Sequence, residues 1–179
     1  MQKILKKITY IFFIVVISLF AAYSLKTSLE AVDWYRYKVT IGLTGVFFIL
    51  ISFIYSIVKR FTKIKNKLFY LRLHIFLAIL GTIIVFAHAS LNHYFIFPIL
   101  TYCFLFIVYS SGFVGSLLVR DVKREMEAQR ENPPPLYSLI VIDKAVSAWR
   151  TVHIPLVIYW FTFLVIHVTS TFYYSGLRY

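Results

Sequence analysis

From Leu73 to Val119 the chain carries no charged side chain, a run that no water-soluble domain of this size has a core large enough to bury. Three further uncharged stretches, Ile8 to Leu25, Val39 to Val58 and Thr151 to Leu177, repeat the pattern in a 179-residue sequence that is 60% hydrophobic. A membrane-crossing helix needs about 20 apolar residues. Three of the stretches therefore fit one crossing each, and the long one fits two, with a turn at Asn92-His93-Tyr94 and Pro98 tolerated in the first turn of the next helix. The alternating short segments of a membrane barrel are absent, so helices remain the way to satisfy the backbone in lipid. The expectation is a single all-α integral membrane domain over 1–179 with five transmembrane helices, at about 8–25, 39–58, 68–91, 96–119 and 150–175.

Charge gives the expected orientation. In the five-span arrangement one side collects Lys3, Lys6, Lys7, Lys59, Arg60, Lys63, Lys65, Lys67, Arg72, Arg120, Lys123, Arg124, Arg130, Lys144 and Arg150, and the other only Lys26, Arg36, Lys38 and Arg178. The positive-inside rule then puts the N-terminus in the cytoplasm and the C-terminus outside, in a multi-pass protein of the cytoplasmic (inner) membrane. The net charge of +12 is read as this topology signal and as contact with anionic lipid headgroups. Basic residues that only cap helices give no base-reading surface, so nucleic acid is not an expected partner.

Lys3, Lys6 and Lys7 before an apolar run, with Ala21 and Ala22 after it, also match a secretory signal; the segment is read as a retained first span. Pro133-Pro134-Pro135 is expected to end a helical extension of the fourth span, and Leu136 to Ala148, apolar but short, to lie along the interface. The single cysteine, Cys103, excludes an internal disulfide and a Cys-x-x-Cys-His attachment site.

Four of the five histidines form two pairs with one spacing: His74 with His88 on the third span, and His153 with His167 on the fifth, each 14 residues apart. Fourteen helical steps turn through about 1400°, about 40° short of four full turns, and rise about 21 Å. Each pair thus lies on one face of its helix at two depths. The third and fifth spans run in the same direction, so residues at equal depth face each other if those helices pack together. His74 then meets His153 near the cytoplasmic side, and His88 meets His167 near the outer side. An iron between each pair would have two axial imidazoles. The expected cofactors are two haem b groups stacked along the membrane normal, in a four-helix core.

Arg72 and Arg150, just before His74 and His153, stand where haem propionates would emerge and favour a cation; ordinary positive-inside flanking explains them equally. Gly81, midway between His74 and His88, leaves room for a flat macrocycle, as Gly42, Gly45, Gly112 and Gly115 would from the second and fourth spans. Small residues also let membrane helices approach. His93 falls about 140° from the haem face and reads as an interfacial residue, with an outer quinone or proton site involving Glu30 or Asp33 as a weaker alternative. Tyr173, Tyr174 and Tyr179 read as an interfacial belt. Packing histidines and a metal transporter are the competing readings. The transporter fails on geometry, because histidines about 21 Å apart on one helix cannot hold one ion.

The segments Arg72-Leu73-His74 to His88-Ala89-Ser90 and Arg150-Thr151-Val152-His153 to His167-Val168 resemble the dihaem cytochrome b class. That class includes the cytochrome b of quinol:cytochrome c oxidoreductases and the membrane domains of ferric reductases and NADPH oxidases. The resemblance covers the third to fifth spans, and the first two by hydropathy alone. It implies transmembrane electron transfer through two bis-histidine haems, in an electron-transfer subunit of a respiratory or reductase complex. Expected partners are a periplasmic cytochrome or membrane complex subunits, with quinone at the site of quinol oxidation or quinone reduction. Two features depart from the class. No flavin or nicotinamide domain is expected after the fifth span, and no quinol-site motif is recognisable. The alternative function is a non-redox membrane anchor or assembly subunit of such a complex.

Overall fold

The computed structural model describes residues 2–32, 37–54, 67–89, 96–128 and 136–176. These form five helices: α1 (Gln2–Ala31), α2 (Lys38–Ser52), α3 (Lys67–His88), α4 (Ile96–Ala128) and α5 (Leu136–Gly176). No strand occurs among the described residues. Four stretches are long and apolar enough to cross a membrane: Thr9–Ala31, Phe69–His88, Ile96–Leu117 and Asp143–Tyr173. α2 supplies a shorter apolar stretch, Val39–Ser52, about 21 Å of helix against a hydrocarbon core of about 30 Å. Residues 55–58 of the expected second span, and the expected turn at Asn92-His93-Tyr94, lie outside the described residues.

Large apolar side chains face outward along these helices, among them Phe20, Phe47, Phe76, Ile96 and Phe172. An aqueous surface does not tolerate so much contiguous apolar area, whereas lipid requires it. Hydroxyl groups within the helices are satisfied locally. Ser18 donates to the Ile14 carbonyl, Thr101 to Phe97, Thr162 to Ile158 and Thr171 to His167, each one turn back, the arrangement that lets Ser and Thr reside in hydrocarbon.

α5 differs from the sequence expectation. Leu136 to Ala148 is no separate interfacial segment but the beginning of one continuous 41-residue helix. Asp143 and Lys144 interrupt the hydropathy there, yet no Gly or Pro breaks the backbone between 136 and 150. The helix also continues through Pro155, whose missing N–H leaves the Thr151 carbonyl without its usual backbone donor.

The described chain divides into two compact units, one spanning 12–95 and the other made of 1–11 with 96–179. In the first, α2 and α3 pack as an antiparallel pair. Gly42 lies against His88, Gly45 against Val85 and Gly81, and Ile49 against Gly81. In the second, α4 and α5 pair in the same sense. Phe104 stacks on Phe163 at 5.1 Å between ring centroids, and further along Gly112 faces His153 and Gly115 faces Trp149.

Candidate functional site

Within the 12–95 unit, the face of α3 that carries both histidines is the face that meets α2. His74 stands near the C-terminal end of α2, with its Nδ1 2.7 Å from the Ser52 carbonyl oxygen. A local change in α2 presents that carbonyl. The Ser52 hydroxyl donates to the Ile49 carbonyl at 2.6 Å, and the Phe53 N–H turns to Leu50, three residues back, at 3.0 Å. A carbonyl can only accept, so His74 Nδ1 carries the proton and, in the neutral ring, the lone pair resides on Nε2.

His153 in the other unit reaches the same state by another route. Its Nδ1 lies 2.6 Å from Ser111 Oγ on α4. The Ser111 hydroxyl donates its only proton to the Val108 carbonyl at 2.8 Å, so the bond from His153 has Nδ1–H as donor. The ring is also stacked on Trp149, one turn earlier on α5, with centroids 4.9 Å apart and planes 25° apart. Trp149 Nε1 in turn donates to the Ser111 carbonyl at 2.8 Å. A histidine whose Nδ1–H is held by a fixed oxygen is oriented in the way that metal-ligating histidines are.

His88 packs over Gly42, where a Cβ would stand 3.0 Å from three of its ring carbons. His167 is partly buried in the last third of α5. The room that Gly81 leaves is occupied by α2. A Cβ there would lie 2.6 Å from the Gly45 carbonyl oxygen and 2.7 Å from the Ile49 side chain. Gly81, Gly42 and Gly45 thus let α2 approach α3, and Gly115 admits the Trp149 indole. Arg72 and Arg150 are exposed. Glu30 is paired with Lys26 on its own helix at 3.7 Å, while His93 and Asp33 lie outside the described residues, as do Tyr179 and the side chain of Tyr174. Tyr173 and Cys103 are exposed.

Sequence reasoning missed Ser52, Ser111 and Trp149. Trp149 carried a signal, since it lies four residues before His153 and so on the same helical face. Ser111 is the neighbour of Gly112 in a small-residue patch, Ser110 to Gly112, where side chains from a facing helix come close. Nothing in the sequence marks the Ser52 carbonyl as an acceptor. Among the described residues, no group of three or more His, Cys, Asp or Glu side chains gathers in the way that a bare metal ion requires.

The fold is that of a helical, multi-pass membrane protein. Compared with family models, with curated proteins and with solved structures, the chain matches none.

Proposed function

We propose that the chain is a transmembrane cytochrome b that binds two haem b groups and carries electrons across the bilayer as a subunit or module of a respiratory or reductase complex. One observation carries this reading. Two apolar helices each offer two histidines at a 14-residue spacing, and one histidine of each helix has its Nδ1–H engaged by a protein oxygen, 2.7 Å away for His74 and 2.6 Å for His153. That is the state an axial imidazole adopts, and ionisable groups within apolar membrane-type helices usually serve a function.

The residues that would hold the groups are His74 with His153, and His88 with His167, by the helical register of the sequence. Bound haem supplies a one-electron couple that needs no proton or substrate at the site. The protein's part is to fix each imidazole, to surround it with apolar side chains that lower the local dielectric, and to hold ligands at two depths. His74 is fixed by the Ser52 carbonyl, and His153 by Ser111 and the Trp149 face. Arg72 and Arg150 would pair with propionates at the helix ends. Electrons would pass between a quinol or cytoplasmic donor on one side and a periplasmic redox protein on the other, in either direction.

The finer topology belongs to the same proposal: five crossings in the cytoplasmic membrane, N-terminus inside and C-terminus outside. It rests on the fifteen-to-four distribution of Lys and Arg. A reporter active only outside the cytoplasm is expected to work when fused after Tyr179 and to fail when inserted after Arg130; the opposite result would invert the model.

The deciding experiment is a reduced-minus-oxidised visible spectrum with a pyridine haemochrome assay on detergent-purified protein, for wild type and His88→Ala. Two b haems per chain, with one lost on substitution, support the proposal. A stably folded chain without haem leaves the anchor function in its place.

A further inference from the structure

The two histidines with engaged Nδ1 atoms are held differently. The acceptor for His74 is a backbone carbonyl, which any residue at position 52 would provide. The acceptor for His153 is a side chain, Ser111 Oγ, 2.6 Å away. Its hydroxyl proton is committed to the Val108 carbonyl, so the oxygen presents a lone pair to the ring. The helix backbone at the same residue is anchored separately, by the Trp149 Nε1 donor on the Ser111 carbonyl. Removing the hydroxyl therefore removes the acceptor and leaves the Trp149 anchor, and the ring that Trp149 stacks on, in place.

Resting on the haem reading, we propose that Ser111 is a positioning residue that sets the ligand strength of His153 and so the reduction potential of one of the two haems. An imidazole whose Nδ1–H is donated to a good acceptor gains imidazolate character, and its Nε2 becomes a stronger donor. A stronger anionic-type donor stabilises ferric iron more than ferrous iron and holds the potential down. The site served by His153 thus has an adjustable side-chain acceptor, where the ligand from His74 has a fixed backbone one.

The test uses the full chain in detergent, as wild type, Ser111→Ala, Ser111→Thr and Ser111→Cys. Redox titration is followed in the haem absorbance, with the low-spin ferric signals read by electron paramagnetic resonance. Ser111→Ala is expected to move one midpoint to more positive potential and to shift one ferric signal, leaving the other haem unchanged. Haem affinity at that site should fall about 10- to 100-fold, the usual effect of losing such an outer partner. Ser111→Thr, which keeps the hydroxyl, should restore both readouts. If Ser111→Ala does not assemble, Ser111→Cys, close in volume but with a weak acceptor, reports the same positive shift. Two haems with unchanged midpoints and signals in Ser111→Ala or Ser111→Cys overturn this inference and leave the haem reading standing. A wild-type chain without haem overturns the haem reading itself.

Discussion

Gly81 and Gly45 meet backbone to backbone: a Cβ added to Gly81 would stand 2.6 Å from the Gly45 carbonyl oxygen. Neither helix can yield there by rotating a side chain. Gly81→Ala is expected to destabilise the α2–α3 pair by about 1–3 kcal/mol through overpacking. By contrast, a Cβ at Gly112 finds its nearest neighbour, His153 Cε1, at 3.9 Å, an ordinary contact. Gly112→Ala should therefore stay within about 0.5 kcal/mol of wild type. Denaturation in mixed micelles compares the two, and equal losses would contradict the close approach at Gly81.

At Gly42 the neighbour is the His88 ring itself, 3.0 Å from an added Cβ. The ring must tilt by a few tenths of an ångström to admit a methyl group, so Gly42→Ala acts on a proposed ligand without changing it. The expected outcome is an altered spectrum and weaker retention of the haem that His88 serves, with the other haem unaffected. Spectra in which both haems change together would count against two separable sites.

Ser52 tests the nature of the His74 acceptor. Its hydroxyl bonds to Ile49, and only its carbonyl meets His74. Ser52→Ala should therefore leave haem content and both midpoints unaltered, with a stability change of about 1 kcal/mol or less for the lost local hydrogen bond. A midpoint shift as large as that expected for Ser111→Ala would show that the side chain, not the backbone, governs His74.

Helix pairing across the sequence gives the sharpest prediction of the haem reading. His74→Ala and His153→Ala should lose the same haem, and His88→Ala and His167→Ala the other. The surviving haem should then have one midpoint within the first pair of variants and a different one within the second. Four unrelated spectra would refute the register derived from the 14-residue spacings.

The extent to which these features were legible in the sequence follows from what each depends on. Apolar run length depends on local composition, so four of the expected crossings coincide with long apolar stretches of α1, α3, α4 and α5. The ends of helices depend on breakers instead. Hydropathy therefore cut the last helix at about residue 150, while the backbone, meeting no Gly or Pro, begins at Leu136. Histidine periodicity is visible in one dimension, but what each imidazole touches is not. The Ser111 hydroxyl matters to His153 only because α4 runs antiparallel beside α5, and Gly81 admits α2 only because Gly45 and Ile49 arrive opposite it. Such pairings are set by interhelical register, which no single segment encodes.

Trp160 lies seven residues after His153 and seven before His167, about 20° from exact superposition on each after two turns, and thus on the histidine face of α5. It is 1% exposed, and its Nε1 has no hydrogen-bond partner among the described residues. The bulk of the indole and its N–H therefore act in opposite directions on stability. Trp160→Phe removes a buried donor whose desolvation is uncompensated, about 1–3 kcal/mol, and against that loses some packing volume; the two should leave it within about 1 kcal/mol of wild type. Trp160→Ala removes the donor as well but gives up the packing of the whole indole, and its cavity should cost roughly 3–5 kcal/mol. Denaturation in mixed micelles separates them. A Phe variant as damaged as the Ala variant would mean that the N–H is bonded in the membrane-embedded protein and that Trp160 is held by it.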